Sequence, residues 1–285
     1  MINKIYNIEC IDGVLIGGWV VLSNNTLKVN NIYLGDCLEL MQYIPDKSID
    51  MILSDLPWLY GTTRNKWDSI IPLDALWKQY ERIIKDNGCI ALFAQTPFDK
   101  VLGNSNLKLL KYEWIWEKNK ATGFLNSKKM PLKAHENILI FYKNLPTYNP
   151  QGLIKKDKPT INKGSRGKKE RGAGGTNYDI ATKDAIQEYE NYPRDVLRFG
   201  VVMKPLHPTQ KPVDLCEYLI KTYTNESELV LDNCMGSGTT AIACINTGRN
   251  FIGFELNKEY YEIAKNRINK HILDNNLQDK YSLIT

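Results

Sequence analysis

The chain of 285 residues reads as an α/β fold, a mostly parallel sheet with helices on both faces. Short apolar runs alternate with stretches of helical spacing, and several of the runs stop at a carboxylate or a glycine turn. A third observation divides the chain. From about Lys143 to Lys204 the apolar periodicity gives way to Gly, Lys, Asn and Pro, as expected of an insertion into the core. Such a length accommodates one large domain or two small ones, and a hydrophobic fraction of 43% is ordinary for a globular core.

Taken in order, residues 1–30 read as short β-type segments with turns at Asp12-Gly13 and Asn24-Asn25, and no role can be assigned to them. Val14 to Leu22 is apolar but short. It contains Gly17, Gly18 and Trp19 and lacks a basic start with a cleavage site, so a hairpin is expected rather than a signal peptide. Ile32 to Leu34 is a short strand ahead of Gly35-Asp36, and a helix from about Leu38 to Tyr43 stops before Pro45. Ile49 to Ser54 is a buried strand ending at Asp55-Leu56-Pro57-Trp58. Leu76, Tyr80, Ile83 and Ile84 give a helix over Leu73 to Lys85, with Asn87-Gly88 as its stop. Strands follow at Cys89 to Ala94, Trp114 to Glu117 and Ile138 to Tyr142, with a helical stretch at Pro97 to Leu102. Beyond the insertion come a helix over Pro212 to Tyr223, a strand over Leu229 to Leu231, and a glycine loop. A helix over Thr239 to Thr247, a strand over Asn250 to Glu255 and a helix over Lys258 to Ile272 complete the chain.

Composition narrows the classes of function. No apolar run approaches the roughly 20 residues that cross a bilayer. The six cysteines form no C-x-x-C pair and sit mostly in apolar segments, so free buried thiols in a reducing cytoplasm are expected. The three histidines show no metal-ligand spacing to a cysteine. The net charge of +5 decides little, but its distribution says more. Lys155, Lys156, Lys158, Lys163, Arg166, Lys168, Lys169 and Arg171 face only Asp157 and Glu170, a local surplus of six. A polyanion such as DNA or RNA suits that stretch, and a solvated loop is the alternative.

Three motifs carry chemistry. Gly236 and Gly238 follow the strand ending at Asp232 and allow backbone to approach a ligand, and the next strand ends at Glu255, nineteen positions after Gly236. A carboxylate there can accept ribose hydroxyls. The absence of a lysine before Thr239 disfavours a P-loop, and Thr239-Thr240-Ala241 departs from the dinucleotide fingerprint. S-adenosylmethionine, which needs a ribose-binding acid but no pyrophosphate cradle, fits the remaining features; an ordinary tight βα turn is the competing account. At the Asp55 turn, the carboxylate and the Leu56 carbonyl can accept the N–H groups of a conjugated exocyclic amine. Pro57 stiffens the turn, and Trp58 can stack on a base removed from a duplex. The competing account is a capping aspartate and a core tryptophan. His207-Pro208-Thr209-Gln210-Lys211-Pro212 is a rigid segment that can present donors to a carboxylate, or a plain helix-entry loop.

Together these motifs, in this order, resemble the amino-group DNA methyltransferases of the permuted group called β. That group carries a D-P-P-Y-like motif, a target-recognition insertion, H-P-T-Q-K-P and then D-x-F-x-G-S-G-T-T. Trp116-Glu117-Lys118-Asn119 and His135-Glu136-Asn137-Ile138-Leu139 are also similar to segments found between them. The resemblance spans about Asn31 to Asn269. It implies a Rossmann-like S-adenosylmethionine-dependent fold, circularly permuted, with a catalytic half over 31–142, a target-recognition insertion over 143–204 and a cofactor-binding half over 205–285. Asp55, Leu56, Pro57 and Trp58 would grip the target amine. Asp232, Cys234, Met235, Gly236, Ser237, Gly238 and Thr239 would wrap the methionine part, with Met235 as an apolar cover. Glu255 would bind the ribose, Asp36 the adenine amine, and Thr209, Lys211 and Pro212 would close over the methionine end, beside Asp55. Lys163, Arg166, Lys168, Lys169 and Arg171 would contact double-stranded DNA. Leu56 and Trp58 replace the group's usual proline and tyrosine, and keep the carbonyl and the stacking face. The expected activity is adenine-N6 methylation of a short DNA sequence in a bacterial or phage-infected cytoplasm, with a homodimer and a cognate restriction endonuclease as possible partners. Cytosine-N4 methylation and a non-catalytic recognition subunit are the alternatives.

Overall fold

The computed structural model describes residues 27–58, 71–162 and 184–284. The chain forms two compact units, Met1–Asn149 with Asp195–Thr285, and Pro150–Arg194. The first unit holds an eight-stranded sheet. In chain order its strands are β1 (Asn31–Leu34), β2 (Ile49–Asp55), β3 (Ile84–Ala94), β4 (Leu110–Thr122) and β5 (Lys133–Phe141). The second unit holds β6 (Ile154–Asn162) and β7 (Ala185–Glu190), an antiparallel pair; β8 (Val196–Phe199), β9 (Leu229–Asp232) and β10 (Asn250–Glu255) return to the large sheet. The order across that sheet is β1-β10-β9-β2-β3-β5-β4-β8, and only β5 runs against its neighbours.

The helices are α1 (Cys37–Leu40), α2 (Leu73–Ile83), α3 (Phe98–Ser105), α4 (Val213–Tyr223), α5 (Thr239–Thr247) and α6 (Lys258–Asp274). Alternation along the strands sends side chains to two separate cores. Met51, Leu53, Ala91 and Phe93 pack with residues of α4, α5 and α6. Ile52, Ile90, Leu92 and Ala94 pack with α1, α2 and α3 on the other face. The continuous apolar runs of β2 and β3 follow from burial on both sides. Such a doubly covered, mostly parallel sheet is the expected Rossmann-like α/β architecture.

The elements differ from expectation in two places. α2 ends at Ile83, and Ile84 already pairs with Ile49 at the start of β3. Its last carbonyls are taken by amides of the preceding loop, Lys47 N to Arg82 O at 3.0 Å and Ser48 N to Ile83 O at 2.9 Å. Gly88 therefore does not stop a helix. A Cβ there would stand 2.7 Å from the Ile84 side chain and 2.9 Å from the Asp50 carbonyl, so it permits a close strand approach.

The second difference concerns the insertion, whose unit spans 150–194 rather than 143–204. Asn149 is tied to the end of α4, its amide donating to Thr222 O at 2.7 Å and its side chain to Lys221 O at 3.2 Å. On the far side, β8 pairs with β4 from Ile115↔Val196 to Lys118↔Phe199, and the Trp116 indole donates to Phe199 O at 2.9 Å.

Candidate active site

Two chain directions meet at the middle of the large sheet. From β2 the chain steps outward through α2 to β3, and from β9 it steps the other way through α5 to β10. The carboxyl ends of β2 and β9 therefore flank a topological switch point, where open α/β sheets hold ligands. A cavity of about 390 Å³ opens there. Asp36, Asp55, Leu56, Pro57, Trp58, Thr209, Lys211, Asp232, Cys234, Met235, Gly236, Ser237, Thr239 and Glu255 all line it. Pro212 and Gly238 do not. Pro212 is buried at the start of α4. Gly238, at φ +79°, precedes α5, and a Cβ there would lie 3.1 Å from Ile268 Cδ1, so it serves packing against α6.

One corner of the cavity is a chain of charges. Lys211 Nζ donates to Asp55 Oδ2 at 2.5 Å and lies 3.4 Å from Glu136 Oε2. Lys118 Nζ donates to Glu136 Oε1 at 2.5 Å. The Lys211 ammonium also stands 5.4 Å from the centroid of Trp58 and 5.1 Å from that of Phe93. Asp55 Oδ1 is buried and accepts no hydrogen bond among the described residues. Burial raises the Asp55 pKa to about 6, against the pull of Lys211 and with a push from the Glu136 charge. Burial would likewise raise Glu136, but Lys211 and Lys118 together hold it below its ordinary value. Lys211 is raised, its two carboxylates outweighing burial.

The opposite side is built from backbone. Glu255 accepts Gly236 N through Oε2 and Asn257 N through Oε1, each at 2.8 Å, which fixes the carboxylate while leaving each oxygen a further lone pair. Gly236 has φ +53° and is half-buried, and it faces the His207 ring, which would be 3.7 Å from a Cβ. His207 stacks edge-on with Tyr260 at 4.2 Å, and its pKa falls to about 4 through burial and the nearby Lys211. Asp36 Oδ1 caps α1, accepting Leu38 N at 2.7 Å. Ser237 and Thr239 are held from outside by Arg267, whose guanidinium reaches Ser237 O at 2.9 Å and Thr239 Oγ1 at 3.0 Å.

Two of the lining residues also have work within the fold. Asp232 accepts Ser54 Oγ at 3.0 Å, Cys234 N at 3.1 Å and Thr240 Oγ1 at 2.6 Å. It ties β2, β9 and α5 together. Met235 lines the cavity, and its thioether is packed on Gly253, where a Cβ would meet Met235 Cε at 2.1 Å. The basic residues Lys163, Arg166, Lys168, Lys169 and Arg171, and the first 26 residues, lie outside the described residues.

Comparison with known proteins bears on this arrangement. The model of the DNA methylase family, which spans N6 and N4 methylases, matches residues 49–266. This chain belongs to that family. Its methyl donor is S-adenosylmethionine, and the cavity suits it: Glu255 at the end of β10 keeps a lone pair on each oxygen, and Gly236 beside it presents backbone with no side chain. Type II methyltransferase M1.MboII of Moraxella bovis is 29% identical over 263 residues, covering 86% of this chain and 98% of its own. DNA adenine methyltransferase YhdJ of Escherichia coli is 26% identical, covering 85% and 83%. Among solved structures, M1.HpyAVI in complex with S-adenosylmethionine is 27% identical with a TM-score of 0.57, covering 84% of this chain and 98% of that one. The PvuII DNA methyltransferase, described as cytosine-N4-specific, shares the fold at 16% identity, with a TM-score of 0.59 and coverage of 82% and 84%.

Within this DNA methylase the roles of Glu136, Lys118 and Arg267 were not evident from sequence. Glu136 stands in the polar start of β5, ahead of the apolar run Ile138–Phe141, and its place depends on β5 running backwards and so starting at the cavity edge. Cys37 was equally silent. Its thiol is held below its ordinary pKa by a hydrogen bond with Cys234, which is pushed well above its own, and both line the cavity. Among the described residues every cysteine is free, no group of side chains suits a metal, and no helix is long and apolar enough to cross a membrane.

Proposed function

We propose that this chain transfers a methyl group from S-adenosylmethionine to the exocyclic N6 amine of adenine in double-stranded DNA, at a short recognition sequence. The observation that carries this reading is Asp55: a carboxylate at the end of β2 with one oxygen held by Lys211 and the other buried without a partner, beside an aromatic ring. S-adenosylmethionine, when bound, would supply an electrophilic methyl group, leaving as the thioether S-adenosylhomocysteine while the methylated nitrogen gives up one proton. Asp55 Oδ1 and the Leu56 carbonyl accept the amine's N–H groups and draw its lone pair out of conjugation. Trp58 stacks on the everted base and holds the nitrogen in line. Glu255 would hold the cofactor's ribose hydroxyls, Asp36 the amine of the cofactor's own adenine, and the backbone of 234–237 with Thr209 its methionine part. The motif order is read as a circular permutation, and the unit over 150–194 as the reader of sequence.

Two points favour adenine over cytosine N4. The motif begins with aspartate, and a relative covering most of the chain is named an adenine methyltransferase. The test is nucleoside mass spectrometry on unmethylated DNA incubated with protein and isotope-labelled donor. Labelled N6-methyldeoxyadenosine is expected, and labelled N4-methyldeoxycytidine would replace the adenine reading. Asp55→Ala should lower transfer on the order of a hundredfold to a thousandfold, as when a preorganised polar group is lost, while donor affinity measured by calorimetry holds. Normal transfer by that variant would remove Asp55 from the reaction.

A further inference from the structure

The hairpin that joins β4 to β5 leaves the cavity edge and presents an unusual tip. Lys118 and Thr122 on its outgoing strand and Glu136 on its returning strand line the cavity, and Thr122 pairs with Lys133 at its base. Beyond them the chain is ordered by its own turns. Gly123, at φ +88°, begins a 3-10 turn over Phe124–Asn126; Asn126 N donates to Gly123 O at 2.9 Å, Ser127 N to Phe124 O at 3.0 Å, and Lys129 N to Asn126 O at 2.8 Å. The side chains do not share in this order. Phe124 is 78% exposed, Leu125 98%, Met130 52% and Leu132 41%. A built turn that holds four apolar side chains in water is the signature of a surface meant to be covered.

Charge says by what. From Lys118 to Lys133 there are five lysines and no acidic residue. Lys118 is committed to Glu136, but Lys120, Lys128 and Lys129 are exposed and make no ion pair among the described residues. A tip with apolar residues at its point and ammonium groups on its flanks matches a phosphate-lined groove above stacked bases. Duplex DNA has both, whereas another copy of this basic chain would bring its own lysines to the same place.

We propose that this hairpin tip is the wedge that opens the duplex at the target. Phe124 and Leu125 enter the base stack where the target base leaves it, and Lys120, Lys128 and Lys129 seat on the neighbouring phosphates. The inference rests on the reading of the chain as a methyltransferase of paired DNA bases. It assigns a function to a segment outside the catalytic motifs and outside the unit over 150–194. Because β4 and β5 also carry Lys118 and Glu136, a wedge on this hairpin is placed at the mouth of the pocket that must receive the base.

The test uses the full chain with Phe124→Ala and Leu125→Ala together. Wild-type protein first methylates a plasmid, and the modified positions are mapped. Short duplexes are then made with the target base paired normally or set opposite an abasic site, which removes the pairing to be broken. The double variant should lose at least about tenfold in transfer on the paired duplex, because eversion must then meet the unstacking penalty unaided, and stay within about twofold of wild type on the abasic duplex. Equal loss on both, or no loss on either, overturns the wedge. A variant that dissociates from dimer to monomer in sedimentation, with transfer unchanged on both duplexes, overturns it in favour of contact between copies. Wild-type protein that modifies no base of the plasmid overturns the parent reading as well. Separately, replacing Lys120, Lys128 and Lys129 by alanine should flatten the slope of log affinity against log salt by about 0.9 for each phosphate no longer neutralised. An unchanged slope removes these lysines from the interface.

Discussion

Asp55 is placed under two opposing demands. As an acceptor for an amine it must be ionised, yet it lies where burial favours its neutral form and lifts its pKa to about 6. Transfer should therefore fall about tenfold per pH unit below that value, as protons take up the acceptor. The neighbouring charges set where the fall begins. Lys211 favours the ionised form, and Glu136 and Asp232 disfavour it. Lys211→Met should move the acidic limb of the pH–rate profile upward. Glu136→Gln should move it downward, since it removes a negative neighbour and leaves Lys211 wholly to Asp55. Profiles of kcat against pH for both variants check this. Shifts in the same direction, or none, would mean that the limb belongs to another group. The same raised pKa has a consequence for the fold: the stability that Asp55 contributes is present below its ordinary value near 3.8 and is lost as pH rises through about 6. The working, ionised state is thus the less stable one, a familiar tension at functional sites.

At the scale of elements, the loop after β9 is positioned from behind. Gly253 of β10 leaves room for the Met235 thioether, and Met235 N donates to Phe254 O at 2.8 Å. Gly253→Ala would set a methyl 2.1 Å from Met235 Cε and 2.9 Å from Ile32 Cγ2. The thioether can yield, but only by shifting within a filled core, at an overpacking cost of about 1–3 kcal/mol. Gly236 and its bond to Glu255 would shift with it. Thermal unfolding should report a modest loss, and calorimetry a donor affinity weakened by more than the stability change explains. Unaltered affinity would mean that the loop is held by other contacts, Arg267 foremost. How much of this was legible in the sequence follows from range. The Asp55 turn, the glycine loop and His207 to Lys211 are local patterns, and they do converge on one cavity. Asn87-Gly88 misled because the glycine answers to Asp50, distant in sequence, rather than to its own helix. β8 went unseen because four residues amid polar chain carry no period; only pairing with β4 makes them a strand. Sequence cannot show that Asp232, besides lining the cavity, is tied to Ser54 and Thr240.

For the molecule as a whole, the proposed division of labour gives sequence reading to the smaller unit and chemistry to the larger. Every described residue that lines the cavity belongs to the larger one. Its two connections to the smaller unit are anchored within it, Asn149 on the end of α4 and Asp195 through its carbonyl, which accepts Ile115 N at 2.7 Å. Those anchors lie on one side of the sheet's architecture: Tyr223 of α4 bonds through its hydroxyl to Tyr112 and Trp114 of β4, at 2.7 and 2.6 Å, beside Ile115. The break left by removing 150–194 is thus bracketed by side chains that already touch, and a short glycine-serine linker should close it at little cost in loop entropy. The shortened chain should fold, bind S-adenosylmethionine with affinity within about threefold of the full chain, far short of the tenfold that 1.4 kcal/mol represents, and retain the Asp55 corner. It should no longer concentrate methylation at a short sequence, and mapping modified positions on plasmid DNA would reveal either scattered modification or none. Modification at the same sites as the full chain would move sequence reading into the larger unit, where the β4–β5 hairpin would be its natural seat.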